Sequence, residues 1–171
     1  MDLLNTIIES KRLKLVSITT EYTEVIFKEF TPKVTKYMSP APPERIEDTK
    51  DFINSSIKKM IKGEELQLVI LNRITNEFLG LCGSHHINSS TPTLGIWIKI
   101  NAHGNRFGRE AVLSLKTWCD KNLNYKYLTY QVDERNLASR KIAESLGGII
   151  KKRYKRKNLS GKTVSALEYW I

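Results

Sequence analysis

The stretch from Thr93 to Lys121, TLGIWIKINAHGNRFGREAVLSLKTWCDK, constrains the fold of this chain more than any other. Leu94 to Ile100 is rich in β-branched and aromatic residues and predicts a strand. Val112, Leu115, Trp118 and Cys119 then recur at helical spacing, so the chain must turn between Asn101 and Phe107 and start a helix. The turn is HGNRFG. A helix that begins there leaves its first N–H groups without intrahelical partners, with the positive end of the macrodipole behind them. Gly104 and Gly108 let the backbone approach an anion with no Cβ in the way, while Arg106 and Arg109 add formal charge. Strand, glycine turn and helix in that order point to a pyrophosphate site.

The rest of the chain predicts one domain, 1–171, large enough to bury roughly two thirds of its unfolded surface. Its hydrophobic fraction of 40% and charged fraction of 27% belong to the soluble globular class. Apolar runs fall short of the ~18 residues of a membrane helix, and MDLLNTIIESKR lacks the pattern of an export signal. A cytoplasmic protein without a membrane partner is expected. Cys82 and Cys119 fall on different elements and are expected as small buried thiols, with a disulfide between them left open. The net charge of +10 favours phosphates, nucleic acid or an acidic protein surface as partners.

Arg12 to Ser17 alternates as a half-buried strand, and Thr19 or Thr20 caps an amphipathic helix through Phe30. Pro32, Pro40, Pro42 and Pro43 mark a loop that no helix can cross. Phe52, Ile53, Ile57, Met60 and Ile61 predict a second helix from Arg45 to Lys62, closed by Gly63. Leu66 to Leu71 and Phe78 to Ile87 predict a hairpin. After the opening stretch come a strand at Tyr127 to Val132, a helix from Asn136 to Leu146 ended by Gly147 and Gly148, and strands Ile149 to Lys157 and Lys162 to Ile171 around the turn NLSG. The order β α α β β β α β α β β predicts an α/β (α+β) fold, a mixed seven-stranded sheet with four helices on both faces.

These residues together resemble the GCN5-related N-acetyltransferase (GNAT) superfamily, in its RimJ/RimL-like branch. ESKRLKL is similar to the family's opening strand, VTKYMSPAPPERIEDTKDFI to its first-helix exit and second helix, and FLGLCG to its third strand. LGIWIKINAHGNRFGREAV is similar to its acetyl-coenzyme A strand and phosphate turn, and NLASRKIAESLGG to the helix after its fifth strand. The resemblance implies a mainly antiparallel sheet with a central splayed parallel pair, Leu94 to Ile100 and Tyr127 to Val132. It also implies that backbone along Ile96, Trp97, Ile98 and Lys99 holds the pantetheine arm and that the turn His103, Gly104, Asn105, Arg106, Phe107, Gly108 and Arg109 holds the pyrophosphate. Asn136 matches the Asn beside the arm and Ser139 the Ser near the departing sulfur. His103 and Arg106 depart from the family's turn, which has Gly where Arg106 stands, and an Arg cannot take every conformation that Gly can.

Acetyl transfer needs a neutral amine and a protonated leaving thiolate, and holding both substrates in line supplies much of the acceleration. Ser139 is the candidate acid by resemblance; the position where relatives carry a tyrosine for this role is Ala143. His85 and His86 end a predicted strand, so at most one can look into the site as base or substrate-binding group, beside the reading of a strand-end histidine. Glu168 is a further base candidate, and Glu110 suits the first turn of the opening helix structurally. Cys82 and the histidines cannot converge on one ion, so no metal is expected. KKRYKRK, Lys151 to Lys157, reads as a solvated strand face that attracts acidic partners, without a specific nucleic-acid motif.

The expected function is acetyl-coenzyme A-dependent N-acetylation of a primary amine by direct transfer in a ternary complex, in a monomer or homodimer. The acceptor is a protein N-terminus, acidic or ribosome-associated, or a small amine such as a polyamine or aminoglycoside. The competing reading is a non-catalytic coenzyme A or acyl-coenzyme A binding protein with the same fold.

Overall fold

The computed structural model describes residues 1–157, 161 and 163–171. In chain order the elements are β1 (Ile7–Glu9), β2 (Leu13–Ser17), α1 (Thr23–Glu29), α2 (Ile46–Ile61), β3 (Glu65–Asn72), β4 (Phe78–His85), β5 (Thr93–Ile98), α3 (Phe107–Asn122), β6 (Thr129–Asp133), α4 (Leu137–Ser145), β7 (Ile149–Lys157) and β8 (Thr163–Trp170). The strands form one eight-stranded sheet in the order β1-β2-β3-β4-β5-β6-β8-β7. All neighbours are antiparallel except β5 and β6.

The sheet therefore has eight strands and not the expected seven. The additional one is β1, whose three residues pair Ile7 with Val16 and Glu9 with Lys14 at the sheet edge. Three residues are too few to show a period of two, so it carries no alternation signal. The hairpin turn expected at NLSG falls largely on 158–160, outside the described residues, as does the expected first residue of the last strand, 162.

β3 and β4 are buried along almost their whole length, which requires cover on both faces. That cover is visible in β5, where successive side chains point to opposite sides. Trp97 packs on Phe30 of the α1 end, with ring centroids 4.9 Å apart. Ile96 and Ile98 face Gly108 in the first turn of α3, each with an atom 3.7 Å from where a Cβ on that glycine would lie. Helices α1 and α2 pack on each other and on β3 and β4, while α3 and α4 pack on each other and on strands β1, β2, β4, β5 and β6. Cys82 and Cys119 are buried and free.

Candidate active site

Parallel pairing between β5 and β6 extends only through Thr93–Thr129 and Leu94–Tyr130. Beyond Leu94 the two strands part. The Lys99 N–H donates to the Leu79 carbonyl at 2.8 Å, which fixes the odd-numbered residues of β5 as those bonded to β4. The backbone groups of Ile96 and Ile98 therefore lie on the opposite edge, in the gap left by β6. Such an edge can accept an extended ligand as an added strand.

A cavity of about 520 Å³ occupies this region. Ile26, Phe30 and Phe52 supply an apolar wall, and Gln67, His85, Gln131, Asn136 and Ser139 supply polar groups. The loop through Tyr37, Met38 and Pro40 closes one side, and the Arg135 guanidinium sits 5.7 Å from the Tyr37 ring centroid.

At the start of α3, the first helical N–H to find a partner is that of Glu110, on the Arg106 carbonyl at 3.2 Å. The preceding N–H groups of Phe107, Gly108 and Arg109 remain for an external acceptor. Arg106 has φ 61° and ψ 17°, so this Arg adopts the left-handed conformation that glycine takes more readily. Gly104 is also left-handed, at φ 80°. His103 leaves the turn and places Nε2 2.8 Å from the Ile98 carbonyl, to which it donates. One of the groups on the open edge of β5 is thereby held by a residue of the turn.

The turn is fastened from the connection between β1 and β2. Glu110 Oε1 accepts from Ser10 Oγ and the Arg12 N–H, both at 2.8 Å, and its Oε2 lies 2.7 Å from Arg12 Nε. Arg12 also donates to the Asn105 carbonyl at 3.1 Å and places its guanidinium 4.6 Å from the Phe107 ring centroid. Glu110 thus serves the helix start structurally.

Ser139 and Asn136 both line the cavity. Asn136 caps α4, its Oδ1 accepting from the Ser139 N–H at 3.1 Å. The Ser139 hydroxyl lies 2.7 Å from the Tyr130 hydroxyl. Burial pushes Tyr130 up to about 12, against the opposing pull of its Ser139 hydrogen bond, so the phenol is protonated at neutral pH. With Tyr130 as donor, the proton of Ser139 is left free for the cavity. Tyr130 was not singled out from sequence. A tyrosine does reach this position, from β6 rather than from the α4 position of Ala143.

The two histidines separate, not by strand alternation but because β4 ends at His85 and His86 turns away in a left-handed conformation. His85 lines the cavity, whereas His86 is exposed at φ 55° and does not. His85 Nδ1 is 3.1 Å from Glu65 Oε2, and its Nε2 would lie 3.4 Å from a Cβ on Gly95. The missing side chain at Gly95 thus makes room for the ring beside the last paired residues of β5. Glu65 is buried at 3% exposure. Burial works to raise its carboxyl, but the hydrogen bond and charge of His85, with Lys59, hold it below the ordinary value.

Glu168 is not among the residues lining the cavity. Its carboxylate accepts from Trp170 Nε1 at 3.0 Å and Gln131 Nε2 at 3.3 Å and pairs with Lys152 Nζ at 2.9 Å. Of the expected β5 ligands, Trp97 packs between Phe30 and Phe78, and Lys99 Nζ binds Glu77 Oε1 at 2.6 Å. Only the backbones of Ile96 and Ile98 face the gap.

A family model for the acetyltransferase (GNAT) domain matches residues 12–149. The chain belongs to the GNAT acetyltransferase family. With it come the N-acetyltransferase class and the mixed sheet opened at its parallel pair. The chain is 27% identical over 140 residues to a Bacillus licheniformis protein named uncharacterized N-acetyltransferase p20, a stretch covering 80% of this chain and 79% of the relative. In fold it is similar to RimL, a ribosomal L7/L12 alpha-N-protein acetyltransferase solved with coenzyme A, at TM-score 0.86 and 16% identity over 97% of each chain. It is likewise similar to the Salmonella typhimurium acetyl transferase that modifies the N-terminal serine of L7/L12, at TM-score 0.85 and 17% identity over 97% of this chain and 98% of that one. These neighbours share the expected fold. Among the described residues, no helix is long and apolar enough to cross a membrane.

Proposed function

We propose that this acetyltransferase moves the acetyl group of acetyl-coenzyme A directly to a primary amine, both substrates being held at once where β5 and β6 part. The observation that carries the reading is the position of His85 and Ser139 on one cavity at that opening. The residues present fit the coenzyme: the orphaned N–H groups at Phe107 to Arg109 suit a pyrophosphate, and the open edge at Ile96 and the Ile98 N–H suits the amides of a pantetheine arm, the Ile98 carbonyl being shared with His103. When bound, acetyl-coenzyme A supplies the acyl group as a thioester.

The chain's own part is positioning and proton handling. His85 Nε2, with Nδ1 anchored on Glu65, takes the proton that the amine loses. Ser139 Oγ, held by the hydrogen bond it accepts from the Tyr130 hydroxyl, gives a proton to the departing sulfur and regains one from solvent through the open cavity. Holding the amine and thioester together in a cavity walled by Phe30 and Phe52 supplies the orientation. A protein N-terminus is the favoured acceptor, because the cavity opens under the Tyr37 to Pro43 loop and offers no free carboxylate for a polycation.

The test is a screen of amine acceptors with acetyl-coenzyme A that follows free thiol release. Turnover of one acceptor class with formation of its N-acetyl product supports the reading. Tight coenzyme binding without turnover on any class would assign the chain to the non-catalytic alternative.

A further inference from the structure

Arg156 and Thr49 line the cavity, and among the described residues each carries a buried polar atom, Nε and Oγ1, without a hydrogen-bond partner. Arg156 comes from β7 and Thr49 from α2. Thr49 is buried at 3% exposure. An unpaired buried donor is costly, so two beside one cavity point to a ligand that supplies acceptors.

The charge balance says which acceptor. The charged or imidazole side chains on the cavity are Asp48, His85 and Arg156. The Asp48 carboxylate is taken up at the start of α2, where Oδ2 accepts from the Arg45 N–H at 2.9 Å and the Glu44 N–H at 3.1 Å. Asp133, whose carboxyl also feels the charge of Arg156, is taken up by Arg135, which donates to it through Nε at 2.9 Å and NH2 at 2.7 Å. One carboxylate therefore stands against two guanidiniums, and Arg156 keeps its Nε unused. The remaining charge of the acceptor side is positive. A polyamine or aminoglycoside would meet a guanidinium there and no open carboxylate.

We propose that the acceptor is a primary amine bearing a carboxylate, which binds Arg156 and Thr49 while the amine lies toward His85. This inference rests on the acetyl-transfer reading of the same cavity. Arg156 is drawn from a run of basic residues whose other members are mainly exposed. In β7 the alternation puts Lys152, Tyr154 and Arg156 on one face, of which Tyr154 and Arg156 are half-buried while Lys152 is exposed and pairs with Glu168, and it leaves Lys151, Arg153, Lys155 and Lys157 on the other face, exposed. The carboxylate can come from a free amino acid or from an acidic residue near the start of a polypeptide, and matched acceptors separate these sources.

The test compares phenylalanine with phenylalaninamide, and an amidated tetrapeptide carrying glutamate at its second or third residue with the same peptide carrying glutamine. Acetylation is followed by thiol release, and binding to the coenzyme A-loaded protein by calorimetry. One carboxylate arm is expected to be preferred by roughly 10- to 100-fold, as a charge-assisted bond predicts. Preference only in the free amino acid pair identifies a small-molecule acceptor; preference only in the peptide pair identifies an acidic N-terminus. In Arg156→Gln that preference is expected to fall to near one, and in Arg156→Lys to be partly retained. Wild-type ratios near one in both pairs, or a preference that survives Arg156→Gln, would overturn the subsite. Absence of turnover on every acceptor would overturn the acetyl-transfer reading instead, and the calorimetric ratios would still decide the subsite.

Discussion

Glu65 Oε2 lies 3.1 Å from His85 Nδ1 and 3.3 Å from Lys59 Nζ, so a single buried carboxylate oxygen anchors the imidazole that faces the cavity. A histidine bonded at Nδ1 presents Nε2 in a fixed direction, and here that direction is over Gly95 at the strand opening. His85→Ala is expected to lower kcat/KM by about 10²-fold or more, the usual worth of a positioned base. Glu65→Gln is expected to lower kcat more than it changes KM, and Glu65→Asp to recover part of the loss. Steady-state kinetics of the three variants checks this. Unchanged kcat in His85→Ala would remove the histidine from the proton path.

Ser139 and Tyr130 form the other end of that path through their hydroxyl contact of 2.7 Å. Ser139→Ala is expected to reduce kcat by about 10²-fold, and Tyr130→Phe by less, because Ser139 keeps its own proton. Using a thioester whose thiol is more acidic should narrow the Ser139→Ala deficit, since such a sulfur leaves with less protonation. A deficit that stays constant across leaving groups would show that Ser139 acts elsewhere.

Acid stability follows from Glu65, Glu110, Asp133 and Glu168, whose carboxyls all lie below their ordinary values. For Glu110 burial works upward, and the hydrogen bonds from Ser10 and Arg12 prevail. Each such group holds its proton more weakly when folded. Each therefore adds stability that is fully present above its ordinary value, 4.5 for the glutamates and 3.8 for Asp133, and is lost as pH falls through the lower folded value. Glu110→Gln is expected to cost about 1–2 kcal/mol at pH 7 and progressively less below about pH 4. Urea unfolding at several pH values measures both; a cost that does not shrink with acid would contradict the assignment.

Arg106 carries its left-handed conformation at a cost of about 1–2 kcal/mol, while a glycine there gives back about 0.5–1 kcal/mol through unfolded-chain entropy. Arg106→Gly is therefore expected to leave stability equal or raised by up to about 1 kcal/mol. Its coenzyme affinity is expected to fall, most at low salt where charge is least screened. Thermal unfolding and calorimetry at two salt concentrations give the two readings. A large loss of stability would mean that the Arg106 side chain holds the turn together.

Local patterns carried the opening stretch well. The β-branched run of β5, the apolar spacing of α3 and the glycines between them each follow from neighbouring residues, and the structure has all three. Asn136 was singled out only through the family resemblance, and its capping of α4 needed the structure. The unread features are contacts between distant residues. Glu65 meets His85 across a strand pair, and Tyr130 reaches Ser139 from strand to helix, neither of which leaves a period in the sequence. Arg156 lay hidden in a basic run because charge dominated the reading, although the two-residue alternation of the strand turns it toward the cavity. At Arg106 the departure from glycine was visible, while its left-handed geometry required the backbone.

The central claim, that the coenzyme lies along the open edge of β5 with its phosphates at the start of α3, is tested most directly by amide hydrogen exchange resolved by residue with and without coenzyme A. The amides of Ile96 and Ile98 and those of Phe107 to Arg109 are expected to slow by at least about tenfold on binding, while that of Trp97, already paired with β4, changes little. Saturating coenzyme that leaves Ile96, Ile98 and the Phe107 to Arg109 amides exchanging at their free rates would contradict the account.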